Sequence, residues 1–116
     1  MLKMVLGTLY SKAELTALSE ICKSNNLLLF MDGARLAMGL SGTNSDLSLA
    51  DISNLTDIFY IGGTKNGALL GEAIVINNKT LQANFRFHLK QRGALLAKGR
   101  LIGVQFLVLF YRQSVF

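Results

Sequence analysis

Two side chains have the type and the setting to do chemistry on a bound ligand. Asp32 heads the motif Asp32-Gly33-Ala34-Arg35 and follows the apolar run Leu27-Leu28-Leu29-Phe30-Met31. Lys65 sits within Gly62-Gly63-Thr64-Lys65-Asn66-Gly67, which follows Ile58-Phe59-Tyr60-Ile61. A carboxylate directly after five apolar residues is costly to desolvate unless it meets a cation or a donor, and a protonated aromatic nitrogen is such a partner. An amine flanked by glycines stands where backbone can approach a ligand closely, and an amine can condense with a carbonyl. Each residue also has a plainer use, since Asp-Gly pairs commonly make turns and most lysines lie exposed. The pair says more than either residue alone, because both end an apolar run and Arg35 adds a third polar group beside Asp32.

Such a pair works only if the elements around it bring it together. Ser11-Lys12-Ala13-Glu14 fits a capping box, so a helix starts at Lys12, with Leu15, Leu18, Ile21 and Cys22 on one face and Asn25-Asn26 as its stop. A strand is expected ahead of that helix. The run Leu27 to Met31 is apolar without alternation, which predicts a strand covered on both faces in a parallel sheet. A short helix follows Arg35, then a polar loop through Asp46. Ser48-Leu49-Ala50-Asp51 starts a second capped helix that reaches about Leu55. Ile58 to Ile61 and Ala73 to Ile76 read as strands on either side of the glycine-rich segment Gly62 to Gly71. Lys79 to Leu89 and Gly99 to Tyr111 read as helices, the second unusually apolar. This order predicts an α/β layered architecture.

In open α/β sheets the ligand lies beyond the carboxyl ends of the strands, where Asp32 and Lys65 both fall. An acid facing a pyridine nitrogen and an amine for a Schiff base are the two protein groups that pyridoxal phosphate needs. The segment Gly62 to Gly71 could instead cradle a phosphate in an unrelated α/β binding module. It matches neither a P-loop nor a dinucleotide fingerprint, because no Gly-Lys-Ser/Thr and no Gly-x-Gly-x-x-Gly occurs.

Composition narrows the class further. At 116 residues and 51% hydrophobic, with 16% charged residues and no proline, the chain has too little polar surface for a complete, water-covered unit. Much of its apolar surface is therefore expected to meet a partner or the rest of something larger. The N-terminus lacks the length and cleavage site of a signal peptide, so a cytoplasmic location is expected. Leu101 to Tyr111 is about half of what a membrane span needs, which argues for a buried helix or an interface and against a membrane. The single Cys22 fits a reducing compartment and reads as a small apolar filler. All seven acids lie at or before Glu72, so the first 72 residues sum to minus two and the remainder to plus seven. That basic half lacks the interleaved aromatics of single-strand binders, so it reads as a solvated face rather than a nucleic-acid surface. His88, the only histidine, is far in sequence from both motifs and reads as a surface or packing residue.

The motifs Phe30-Met31-Asp32-Gly33-Ala34-Arg35-Leu36, Phe59-Tyr60-Ile61-Gly62-Gly63-Thr64-Lys65-Asn66-Gly67 and Lys90-Gln91-Arg92-Gly93-Ala94-Leu95-Leu96-Ala97-Lys98-Gly99-Arg100, in that order, resemble the low-specificity threonine aldolase and aromatic amino acid β-eliminating lyase family. These are fold-type I pyridoxal phosphate-dependent enzymes. The resemblance implies part of a large, three-layer domain with a mainly parallel sheet over residues 1–97. Residues 98–116 would begin a long helix towards a small domain. Asp32 would pair with the pyridine nitrogen and Lys65 would form the Schiff base. Arg35 would hold the phenolic oxygen or its surroundings, and Arg100 would match an arginine near the phosphate or the subunit interface. No metal site is implied. The reaction implied is cleavage of a β-hydroxy amino acid to glycine and an aldehyde, or β-elimination on the same two residues, in a homo-oligomer. Family members are much longer, so a fragment inactive on its own is expected.

Overall fold

The computed structural model describes residues 9–111. Its elements run α1 (Lys12–Ser24), β1 (Phe30–Met31), α2 (Leu36–Leu40), α3 (Leu49–Leu55), β2 (Ile58–Gly62), β3 (Glu72–Ile76), a 3-10 turn (Lys79–Leu81), α4 (Phe85–Gln91) and α5 (Arg100–Tyr111). The strand expected ahead of α1 falls mainly on residues 1–8, outside the described residues.

Both capping boxes form. Ser11 Oγ accepts the Glu14 N–H at 3.2 Å while Glu14 Oε2 accepts the Ser11 N–H at 2.9 Å. Ser48 and Asp51 repeat the exchange at the start of α3, at 3.1 and 2.9 Å. Asp51 also takes the Lys12 ammonium at 2.7 Å, and Asp46 accepts the Lys12 N–H, so the first turns of α1 and α3 are tied together. The partners on Asp51, led by Lys12 and Ser48, hold its carboxyl below the usual aspartate range.

The three strands form one mixed sheet in the order β1-β2-β3. β1 pairs with β2 in parallel, Met31 opposite Phe59, whereas β2 and β3 are antiparallel, Tyr60 opposite Ile74 and Gly62 opposite Glu72. Within the described residues the mainly parallel expectation therefore holds for one pair only. The antiparallel turn is made by Gly62 to Gly71, whose ends meet where the Gly63 N–H donates to Gly71 O at 3.0 Å. Asp57 pins the far end of all three strands. It donates its own N–H to Leu29 O and accepts the Leu29 N–H on Oδ2 at 2.8 Å, while its carbonyl takes the Asn77 and Asn78 amides.

Leu15, Met31, Leu36, Ile52, Phe59, Ile61 and Phe106 make the core on one side of this sheet. Burying them removes about 1.5–3 kcal/mol worth of water contact for each large side chain. The other side is open: Leu28 and Phe30 are each 57% exposed, so the expectation of a β1 covered on both faces is not met. In the described residues only alternate positions, Leu29 and Met31, turn to the core, as the twofold period of a strand requires. The buried line of α1 also differs from expectation. It runs through Leu15 and Ser19 with Cys22 half-buried, while Leu18 is 37% exposed and Ile21, further round, 58% exposed.

The helix expected from Lys79 to Leu89 is broken. The Asn78 side chain accepts the Thr80 N–H at 3.0 Å and makes a local turn, Gln82 reaches back to Ile76 O, and Asn84 takes a left-handed φ of 59° before α4 begins. Side chains that bond the nearby backbone compete with helix in this way. Helix α5 packs by Ile102, Phe106 and Leu109 and leaves Leu101, Val104, Leu107 and Val108 exposed. Among the described residues no helix is long and apolar enough to cross a membrane.

Candidate functional site

The sheet register brings the two motifs to one place. With Met31 opposite Phe59 and both buried, Phe30 and Asp32 share the opposite face with Tyr60 and Gly62. The rings of Phe30 and Tyr60 stack with centroids 6.1 Å apart. Past the end of β1 the chain lies directly on β2, and only glycine permits it. A Cβ on Gly33 would overlap the Tyr60 carbonyl, and one on Gly62 would come within 2.8 Å of Ala34 Cα. The space so saved lets the Gly62 N–H donate to Gly33 O at 3.0 Å.

Lys65 is carried by a loop that is itself held at several points. Gly63 O accepts the Asn66 and Ala68 amides at 2.9 and 3.1 Å, and the buried Asn66 side chain donates to Gly62 O. With Asn66 turned inward, its neighbour Lys65 is exposed. Helix α5 supports the loop from below. Gln105, a polar residue set among the apolar side chains of that helix, accepts the Leu69 N–H at 2.7 Å, and Ile102 packs under Gly71, whose φ of 102° favours glycine.

Asp32, Arg35, Tyr60 and Lys65 line a single cavity of about 430 Å³, walled elsewhere by Ala34, Leu36, Leu40, Ser45 and Leu47. This is the size range of small-ligand sites. Asp32 Oδ1 accepts the Tyr60 O–H and, at 3.0 Å, the Ala34 N–H. Those two bonds, with the charges of Lys65 and Arg35 added, hold the Asp32 carboxyl below the ordinary aspartate range and keep it anionic near neutral pH. The same bond pushes the Tyr60 phenol up to about 12. Glu72, opposite Gly62 on β3, has its carboxyl raised by partial removal from water and by the charge of Asp32, against the pull of Lys65.

Three of the four residues singled out from the sequence thus meet at the cavity. Arg100 does not: it is exposed at the start of α5 and is absent from the described cavity lining. His88 is exposed on α4. Sequence reasoning passed over Tyr60 and Glu72. The signal for Tyr60 was a hydroxyl-bearing ring inside an otherwise apolar strand, since a half-buried phenol needs a hydrogen-bond partner.

The donor set suits pyridoxal phosphate. An anionic carboxylate can accept an N–H from a ring nitrogen, and residues bearing an amine and a guanidinium line the same cavity and act on that carboxylate by their charge. Among the described residues no group of three or more His, Cys, Asp or Glu is arranged to hold a metal.

Comparison with known proteins finds relatives over most of the chain. A low specificity L-threonine aldolase from Pseudomonas aeruginosa is 38% identical over 96 residues, which cover 83% of this chain and 28% of that protein. A low specificity L-threonine aldolase from a Pseudomonas species is 36% identical over the same shares. The solved structure of Leishmania major threonine aldolase superposes with a TM-score of 0.88 at 56% identity, covering 90% of this chain and 31% of that one. The chain therefore spans under a third of the length of these relatives. The profile of the family described as Beta-eliminating lyase matches residues 2–110, nearly the whole chain. Threonine aldolases and β-eliminating lyases are pyridoxal phosphate-dependent enzymes. With that match, the chain belongs to the beta-eliminating lyase family.

Proposed function

We propose that this chain is the ring-binding part of a pyridoxal phosphate-dependent amino-acid lyase, and that its reaction is threonine-aldolase-like cleavage of a β-hydroxy amino acid to glycine and an aldehyde. The observation that carries the reading is the meeting of Asp32, Arg35 and Lys65 on one cavity from two strand ends. The names and similarity of the Pseudomonas and Leishmania relatives support the choice of reaction.

In this reading Asp32 accepts the N–H of the ring nitrogen and, by staying anionic, keeps a proton there. Lys65 would hold the cofactor covalently through its amine. Arg35 binds the phenolic oxygen or its surroundings, and Arg100 serves the phosphate or a subunit interface. Bound pyridoxal phosphate supplies an electron sink for the substrate's Cα, so that the Cα–Cβ bond can break. Because Asp32 and Lys65 serve the ring and not the substrate side chain, β-elimination would use the same two residues.

The same reading makes residues 1–97 part of a three-layer large domain and residues 98–116 the start of a connecting helix. It also puts the enzyme in the cytoplasm as a homo-oligomer, with a free amino acid as its substrate. The exposed apolar faces of α5 and of the sheet support an assembly in which further protein covers them.

Borohydride reduction of the chain with pyridoxal phosphate, followed by peptide mass spectrometry, tests the assignment. The expected result is a pyridoxyl group on Lys65 in preference to the six other lysines, lost in Lys65→Ala. Labelling spread evenly over the lysines would refute it.

A further inference from the structure

We propose that Tyr60 is a positioning residue for Asp32: its phenol, with the Ala34 amide, occupies Oδ1 and so leaves Oδ2 as the oxygen that meets a ring nitrogen. The proposal rests on the reading of Asp32 given above and adds to it a role for a residue that lies 28 positions away from Asp32, on the neighbouring strand.

The geometry is specific. A carboxylate at the end of a strand can rotate about its last side-chain bond, and a single donor would leave that rotation loose. Here two donors converge on the same oxygen, one from the chain's own turn and one from the neighbouring strand. Among the described residues Oδ2 accepts no hydrogen bond, although it belongs to a carboxylate at the wall of the cavity. The Tyr60 ring is in turn fixed by its strand, since Phe59 and Ile61 on either side are buried, and by stacking on Phe30.

Five groups act on Asp32. Tyr60 and the Ala34 amide donate, Lys65 and Arg35 contribute positive charge, and Glu72 contributes negative charge from β3. A carbonyl that condenses with Lys65 alters that lysine but not Tyr60, the Ala34 amide or Arg35. Of these three, Tyr60 has the largest effect on the carboxylate and is the one whose bond a side-chain substitution can remove; a weakly basic carboxylate leaves the shared proton on the ring nitrogen.

Tyr60→Phe tests this, because it keeps the ring and its contact with Phe30 and removes only the O–H. In the ligand-free full chain, carbon NMR of labelled aspartate should show the Asp32 titration moving up. As a second measurement, the phenol of Tyr60 should titrate near 12 in the native chain and closer to the ordinary tyrosine value of about 10 in Asp32→Asn. Retention is then compared for pyridoxal phosphate and for an analogue whose ring nitrogen is replaced by carbon. Tyr60→Phe should weaken retention of pyridoxal phosphate by roughly 2- to 10-fold, the worth of one hydrogen bond, and leave the analogue unchanged. An Asp32 titration unmoved in Tyr60→Phe overturns the proposal. So does unchanged retention by this variant when the native chain still prefers pyridoxal phosphate over the analogue. A native chain that holds both compounds equally well overturns the underlying reading of Asp32, and the proposal with it.

Discussion

Gly63→Ala and Gly103→Ala make the same chemical change with opposite expected signs. A Cβ on Gly63 would lie 2.6 Å from Gly71 O, 3.0 Å from Ala68 Cβ and 3.1 Å from Phe106 Cζ. The tightest of these is to backbone, and that carbonyl is already held at 3.0 Å by the Gly63 N–H. Reaching even a 3.0 Å contact requires a retreat of 0.4 Å in the turn that carries Lys65, together with movement of α5. Overpacking of this kind costs about 1–3 kcal/mol, from which the lower entropy of an unfolded chain with alanine recovers about 0.4–1 kcal/mol. The net is a loss of about 1–2 kcal/mol. At Gly103, within α5, a Cβ meets nothing within 4 Å, and alanine gains about 0.8–1 kcal/mol of helix propensity. At about 4 °C per kcal/mol for a domain of this size, Gly63→Ala should lower Tm by about 4–8 °C and Gly103→Ala should raise it by about 4 °C. Thermal unfolding followed by circular dichroism reads both. Gly63→Ala should also speed hydrogen exchange at the Leu69 amide. A Gly63→Ala chain as stable as the native one would refute the close approach of the lysine turn to Gly71 and α5.

Gln105→Leu removes the acceptor of the Leu69 N–H while preserving side-chain bulk, so it should cost about 0.5–1.5 kcal/mol and raise exchange at Leu69 without unfolding α5. Unchanged exchange there would contradict the support of the lysine loop by α5. Acid should destabilise the chain through Asp57 and Asp32. Hydrogen bonds from Leu29 and Asn78 to Asp57, and from Tyr60 and Ala34 to Asp32, depress both carboxyls below their unfolded value of about 4. Their stabilisation is complete above that pH and is lost as the pH falls through the depressed folded values. Asp57→Asn should accordingly be less stable at neutral pH and lose less stability on acidification. An identical acid slope in Tm for the native and Asp57→Asn chains would sink this assignment.

What the sequence revealed and what it hid have separate physical causes. The capping boxes of Ser11 with Glu14 and Ser48 with Asp51 are exchanges across one helical turn, and both were readable. Asp32 and Lys65 were readable because an apolar run that ends in a polar residue marks a strand end. The direction of β3 was also open to reading, since ten residues from Gly62 to Gly71 are too few for a parallel crossover, which needs a dozen or more. Leu18, Ile21, Leu28 and Phe30 were misjudged because a run of apolar side chains shows what could be buried and not what covers it. The break at Asn84 was hidden because Asn78 and Gln82 bond to local backbone and so override a helical pattern. The Tyr60 bond to Asp32 joins residues 28 apart and exists only through the β1–β2 register.

NMR of the ring nitrogen in isotopically labelled pyridoxal phosphate, fixed on Lys65 by reduction, tests most directly whether Asp32 and Lys65 meet on one ring. In the native chain the nitrogen should remain protonated through neutral pH, and in Asp32→Ala it should lose its proton at a lower pH. A ring nitrogen whose titration is the same with and without the Asp32 carboxylate would contradict the shared site.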